Sequence, residues 1–235
     1  RDKVNKLRKT TLSDLVSEDE ILAVAQAGSR ESSPEKAIIE SIANQHVFSL
    51  AVDGEARKTQ VFQALEFGFL LGMGGAGGRV YKKWRDVYKA DGKCKYVICN
   101  ADESEPGTFK DRDLIVLAPH LVVEGMIIAG LVLGAEEGWI FVRHEYQEQI
   151  KSLQDEIERL KGEDLKSRNE NILGEGILGS KFNFELRVYQ SPGNYICGEQ
   201  TALVEAMEDK RAEPRIRPPD LMTSGFRGMP TLVNN

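Results

Sequence analysis

Three short segments carry residue types whose spacing could do chemistry. The first, Gly72-Met73-Gly74-Gly75-Ala76-Gly77-Gly78, places glycines so that Gly72, Gly74 and Gly77 satisfy a GxGxxG spacing. Glycine admits positive φ and lets main-chain N–H groups approach a ligand with no Cβ in the way. Successive N–H groups ahead of a helix form an anion site, and phosphate is its natural occupant. Lys82 or Lys83 could bring a positive charge to the same phosphate. The second segment, Asn100-Ala101-Asp102-Glu103-Ser104-Glu105-Pro106-Gly107-Thr108, sets an amide beside the carboxylates of Asp102, Glu103 and Glu105. Carboxylates accept hydrogen bonds from ligand hydroxyls and ring N–H groups. Acids this close repel one another, so water, cations or a hydroxyl-rich ligand must offset them. The third, Tyr195-Ile196-Cys197-Gly198-Glu199-Gln200-Thr201, opens a helix with an aromatic, a glycine, an acid and an amide. Each has a plainer explanation: a glycine turn packing two helices, a solvated acidic loop, and ordinary helix capping. A divalent metal on the acidic loop lacks a supporting histidine.

The elements that must position these segments follow from apolar periodicity. Val61, Leu65, Phe69 and Leu70 recur at helical spacing between Thr59 and Leu71, and Val80 to Lys89 reads as a second helix. The segment before the glycines is therefore helical. The usual dinucleotide fingerprint requires a strand there, so a standard Rossmann NAD loop is disfavoured. Tyr96 to Cys99 reads as a short buried strand, Trp139 to Val142 as another, and Phe184 to Tyr189 alternates as a third. Helices are expected from Pro119 to about Gly134, over 146 to 161, and from Glu199 to Met207. The Pro- and Gly-rich tail from Asp209 is expected to be irregular. Strands alternating with helices predict an α/β fold: a Rossmann-like, mainly parallel sheet with helices on both faces. Ligands in such folds sit beyond the C-terminal ends of the strands. Residues 1–58 read as an N-terminal extension of short helices and linker, and 59–235 as the α/β domain.

Bulk properties exclude several function classes. A net charge of −6 over 235 residues argues against general nucleic-acid binding. One basic stretch, Arg79, Lys82, Lys83, Arg85, Lys89, Lys93 and Lys95, is either a solvated helix face or a surface for phosphate or an acidic partner. Cys94, Cys99 and Cys197 form neither a CxxC pair nor a disulfide framework, and His46, His120 and His144 are scattered without metal spacing. No metal site is expected. The run Leu121 to Leu133 is too short to span a bilayer and reads as a buried helix, so no direct membrane insertion is expected.

Taken together, the three segments resemble one family, the flavoprotein subunit of respiratory complex I and its soluble relatives in hydrogenases and formate dehydrogenases. The resemblance runs through Gly72–Gly77, Lys83-Trp84, Asn100–Thr108, Lys110-Asp-Arg112, Pro119-His120, Glu124-Gly125, Tyr195–Glu199 and Pro230–Asn235. It implies FMN held by Gly72, Gly74, Gly75, Ala76, Gly77 and Lys83 on the phosphate side. Asn100, Asp102 and Glu103 would contact the ribityl chain and ring, and Tyr195, Gly198, Glu199, Gln200, Asn234 and Asn235 would complete the pocket. Glu105, Gln200 and Arg217 are expected on the NADH side. It further implies hydride transfer from NADH to FMN, then single electrons to iron–sulfur clusters in partner subunits. No catalytic side chain is expected, because the chemistry belongs to the flavin. The family's [4Fe-4S] cluster is not ligated by this chain, so electron exit is expected to need further segments or partners. A cytoplasmic place at the periphery of a membrane complex follows from the same resemblance. Four departures stand out: Met73 replaces an arginine, Gly78 an aromatic, Asp220 another aromatic, and Gln200 a glutamate. They leave a second expectation open, a relative that keeps FMN but takes electrons from a donor other than NADH.

Overall fold

The computed structural model describes residues 55–162, 171–177 and 181–235. The N-terminal extension expected for 1–58 lies almost wholly outside them. Helix α1 spans Glu55–Phe67 and α2 Val80–Lys89, with the glycine segment between them. The chain then runs through β1 (Tyr96–Ala101), α3 (Lys110–Leu117), α4 (Pro119–Leu133), β2 (Glu137–Val142), α5 (Gln147–Lys161) and β3 (Glu185–Gln190). A 3-10 turn at Tyr195–Gly198, α6 (Gln200–Met207), α7 (Leu221–Ser224), a second 3-10 turn at Phe226–Gly228 and β4 (Thr231–Asn234) complete the order.

The four strands form one sheet in the order β3-β2-β1-β4, and every neighbouring pair is parallel. The α/β expectation is met. Alternation along β1 separates two cores, because successive side chains of a strand point to opposite faces. Val97 and Ala101 pack with α2, α4 and α5 through Trp84, Val123, Ile127 and Leu153. Tyr96 and Ile98 pack on the opposite face with Leu203, Val204 and Met207 of α6 and with Phe226. Helices thus cover both faces. The strands also end in register: Ala101 lies opposite Val142, and Asn234 opposite Cys99. Loops leaving β1, β2 and β4 therefore emerge on one edge.

Two expectations need correcting. The tail from Asp209 is not irregular throughout, since Thr231–Asn234 adds a parallel strand beside β1. That pairing is non-local, and a four-residue strand after a proline carries too little alternation to announce itself. The helix expected between Thr59 and Leu71 runs instead over Glu55–Phe67, with Phe69 at φ +49° and Leu71 bridged to Arg79. Lys110–Leu117, for which no element was expected, forms α3. The acidic segment itself begins inside β1, which runs on through Asn100 to Ala101. No single helix among the described residues is long and apolar enough to cross a membrane; α3 and α4 reach that composition only together, across a 95° bend.

Candidate functional site

The glycine segment folds back on itself. Leu71 and Arg79 form an isolated antiparallel bridge, Gly72 N donates to Gly78 O at 2.8 Å, and Val80 N to Leu70 O at 3.1 Å. The loop so closed stands at the entrance to α2. Gly75 has φ +89° and Gly77 φ +61°, with nothing within 4 Å of where a Cβ would lie. Left-handed backbone of this kind is strained for L side chains, which accounts for glycine at both positions. Among the described residues, the amides from Gly74 to Gly78 donate to no protein acceptor.

The loop faces two adjoining cavities at the C-terminal edge of the sheet. One, of about 330 Å³, is lined by Gly72, Gly74, Ala76, Gly77, Gly78, Lys83, Gln200, Arg217 and Asn234. The other, of about 550 Å³, is lined by Met73, Gly75, Asp102, Glu103, Glu105 and Tyr195. Gly74, Asn100, Gly198, Glu199 and Asn235 wall both, so the two are continuous. Every residue expected to meet FMN or NADH thus borders one groove. The expectation that the glycine and acidic segments share a cavity is met in geometry. Within the basic stretch only Lys83 lines it, while Lys82, Lys89 and Lys93 are exposed. Asp220 lines neither cavity, so its charge does not face the phosphate end.

The side chains differ in what they leave available. Lys83 Nζ donates to Gln200 Oε1 at 3.2 Å and to Val233 O at 3.1 Å, which leaves one ammonium proton for an anion. Burial, and then the nearby Arg217, pull its pKa below the ordinary lysine value. Asn100 is engaged at both ends of its amide: Nδ2 donates to Gly198 O at 2.9 Å, and Oδ1 accepts from Asp102 N at 3.2 Å. It ties the end of β1 to the 195–198 turn. Asn234 turns its amide so that the oxygen accepts from Trp84 Nε1 at 3.1 Å.

Two of the acids act as helix caps. Glu103 is buried and accepts from Asp111 N at 2.8 Å and Arg112 N at 3.3 Å, holding the first turn of α3. Glu199 Oε2 accepts from Thr201 N and Ala202 N at 2.9 Å, while Oε1 pairs with Arg217 Nη2 at 2.8 Å. Both are drawn to helix N-termini, where orphan amides and the helix dipole favour a carboxylate. Asp102 behaves differently. One oxygen accepts from Ser104 Oγ at 2.8 Å, and Oδ1 is buried with no partner. Burial raises its pKa, partly offset by Ser104, Ser191 and Arg143. An orphaned buried acceptor costs roughly 1–3 kcal/mol, which a ligand donor would relieve. At the rim, Tyr195 OH donates to Glu105 Oε2 at 2.6 Å across the groove mouth.

Sequence reasoning assigned no role to Ser104, Thr108, Lys110, Asp111 and Ile196, which also line the larger cavity. The Lys110-Asp-Arg run was visible in the resemblance, but its placement depends on α3. Across Asn100 and Asn235, which line it as well, lies an apolar cavity of about 330 Å³, walled by Trp84, Cys99, Leu114 and Met126 among others. Among the described residues, no cluster of His, Cys, Asp and Glu could hold a metal ion.

A parallel α/β sheet, an amide-lined glycine loop and a lysine at its strand edge define a phosphate-binding α/β domain. The residues present fit a phosphorylated, hydroxyl-bearing ligand: free amides and a cation at one end, an orphaned carboxylate oxygen at the other. Comparison with known proteins gives the family: residues 68–235 match the Nuo51 FMN-binding domain, and the chain belongs to that family. It is 48% identical over 166 residues to an NADH-quinone oxidoreductase subunit from Aquifex aeolicus, covering 71% of this chain and 37% of that one. With an NADH-quinone oxidoreductase subunit from Rhizobium meliloti it shares 41% identity over 182 residues, covering 77% and 42%. Against the alpha subunit of the NAD-reducing hydrogenase HoxS from Cupriavidus necator the identity is 44% over 177 residues, 75% of this chain and 28% of that one. The crystal structure of an NAD+-reducing [NiFe]-hydrogenase in the H2-reduced state superposes with a TM-score of 0.68 at 34% identity, covering 87% of this chain and 31% of that one. The chain therefore spans less than half the length of each of these relatives.

Proposed function

We propose that this chain is the FMN-holding, NADH-input module of an oxidoreductase of the complex I or NAD-reducing hydrogenase kind. The observation that carries it is the convergence of the 72–78 amides, Lys83 and the 100–105 segment on one groove. The amides of Gly74 to Gly78 and the Lys83 ammonium would hold the phosphate. Asp102 Oδ1 and the Asn235 amide would meet the ribityl hydroxyls and ring. Glu103 and Glu199 would act one step removed, by fixing the helices whose ends frame the groove. Tyr195, Glu105, Gln200 and Arg217 border the side left for the dinucleotide. Bound FMN would supply the chemistry, accepting a hydride and releasing electrons singly.

NADH as donor draws support from the relatives' names and from Asp220 lying outside the groove. The alternative donor, suggested by the loss of aromatics at Gly78 and Asp220, is not favoured by those relatives. Iron–sulfur proteins among further subunits would take the electrons, and a place peripheral to a membrane complex on its cytoplasmic side would suit that role. Anaerobic addition of NADH to the FMN-loaded chain tests the reading. Bleaching of the flavin band within seconds is expected, and a yellow complex indifferent to NADH would contradict it.

A further inference from the structure

Neither Arg143 nor Tyr146 borders the groove, yet both grip the acidic segment from the neighbouring strand. Arg143 follows β2 directly, on the same edge as the end of β1. Its Nη1 donates to the main-chain oxygen of Glu103 at 2.8 Å. Its Nε and Nη2 form a fork on the Glu145 carboxylate at 3.2 and 2.9 Å, which fixes the guanidinium plane. The guanidinium also lies over the Tyr146 ring, 5.4 Å from its centroid. Tyr146 OH in turn donates to Glu103 Oε1 at 3.3 Å. Glu103 is thereby held at its carbonyl and its carboxylate from β2, while the amides of Asp111 and Arg112 hold it from α3. Asp102, next in the chain, carries the orphaned oxygen and feels the Arg143 charge.

We infer that Arg143, oriented by Glu145 and backed by Tyr146, is a positioning residue for flavin binding: it fixes the 103–104 peptide through the Glu103 oxygen and, by holding Glu103, aims the adjoining Asp102 into the groove. A loop bearing adjacent carboxylates resists a single conformation, because the charges repel. A fixed cation on the main-chain oxygen supplies both an anchor and a counter-charge. The inference rests on the FMN assignment above and adds to it a residue that never touches the ligand.

Fluorescence titration of the full chain with FMN and with riboflavin tests it. Asp102 lines the larger cavity and Lys83 the smaller one, so Arg143→Met should weaken both flavins alike, by about tenfold, the loss of one charged hydrogen bond. Arg143→Lys, which keeps the charge and one donor, should recover much of that loss. Tyr146→Phe removes only a hydroxyl and should show a smaller deficit of the same kind should the methionine variant fold poorly. Native affinity in Arg143→Met, or a loss confined to FMN, would overturn the inference while leaving the FMN assignment standing. Failure of the unsubstituted chain to bind FMN would overturn both.

Discussion

Lys83 and Asp102 mark opposite ends of the groove, and each bears a charge that burial penalises. Lys83 is pulled below the usual lysine value of 10.5 by burial and Arg217. In the free protein the ammonium form costs stability below that lowered pKa, and the cost is relieved as pH rises through it. Binding runs the other way, since the phosphate needs the ammonium. FMN affinity should therefore fall as pH rises from neutral towards 10.5, earlier than for an exposed lysine. Lys83→Arg, which stays charged, should flatten that fall, and Lys83→Met should lose roughly 1.5–3 kcal/mol of FMN binding at about pH 7. Equal pH profiles for the native and arginine proteins would refute this. Asp102 has a raised pKa, so its charged form is disfavoured in the fold and stability is lost as pH rises through that value. Asp102→Asn should raise the melting temperature at about pH 7 by roughly 2–4 °C while weakening flavin binding. A variant that melts lower and binds equally well would remove Asp102 from the site.

At the scale of elements, the glycine loop works because its backbone is already bent to present amides. Gly77 sits at φ +61°. Gly77→Ala should cost about 1–2 kcal/mol in that conformation and weaken FMN binding correspondingly, measured by titration. An alanine variant binding like the native chain would show that the loop's bent shape is not what holds the ligand. The elements also show where sequence is legible. Helix α2 matches its expected limits because Val80, Trp84 and Val87 fall on one buried face and nothing else competes for them. Helix α3 escapes notice because Lys110–Leu117 is weakly amphipathic and its start is set by Glu103, which lies well before it in the chain. Strand β4 escapes because its pairing partner is over a hundred residues away in sequence. The three groove-lining segments were identifiable by residue type and spacing. Glu199 caps α6 through Thr201 and Ala202, as the plainer explanation of its segment allowed. That Glu103 caps α3 while Asp102 keeps an open oxygen was not legible, since it depends on where α3 packs.

For the molecule as a whole, parallel strands sandwiched between two helical layers bury β1 on both sides and leave one edge for function. The cysteines report on that layering. Cys94 is exposed ahead of β1, Cys197 is buried under α6, and burial pushes the Cys99 thiol up to about 12. Alkylation of the native chain at about pH 8 should label Cys94 quickly and spare Cys99 and Cys197 until unfolding, as read by mass spectrometry. Rapid labelling of all three would mean that the sheet is not packed as described.

The central claim is that main-chain amides of the glycine loop, with Lys83, hold a phosphoryl group. The direct measurement is calorimetric titration of the full chain with FMN and with riboflavin, which lacks only the phosphate. FMN should bind at least about a hundredfold more tightly, a difference of about 2.7 kcal/mol. Equal affinities, or no heat with either flavin, would contradict the account.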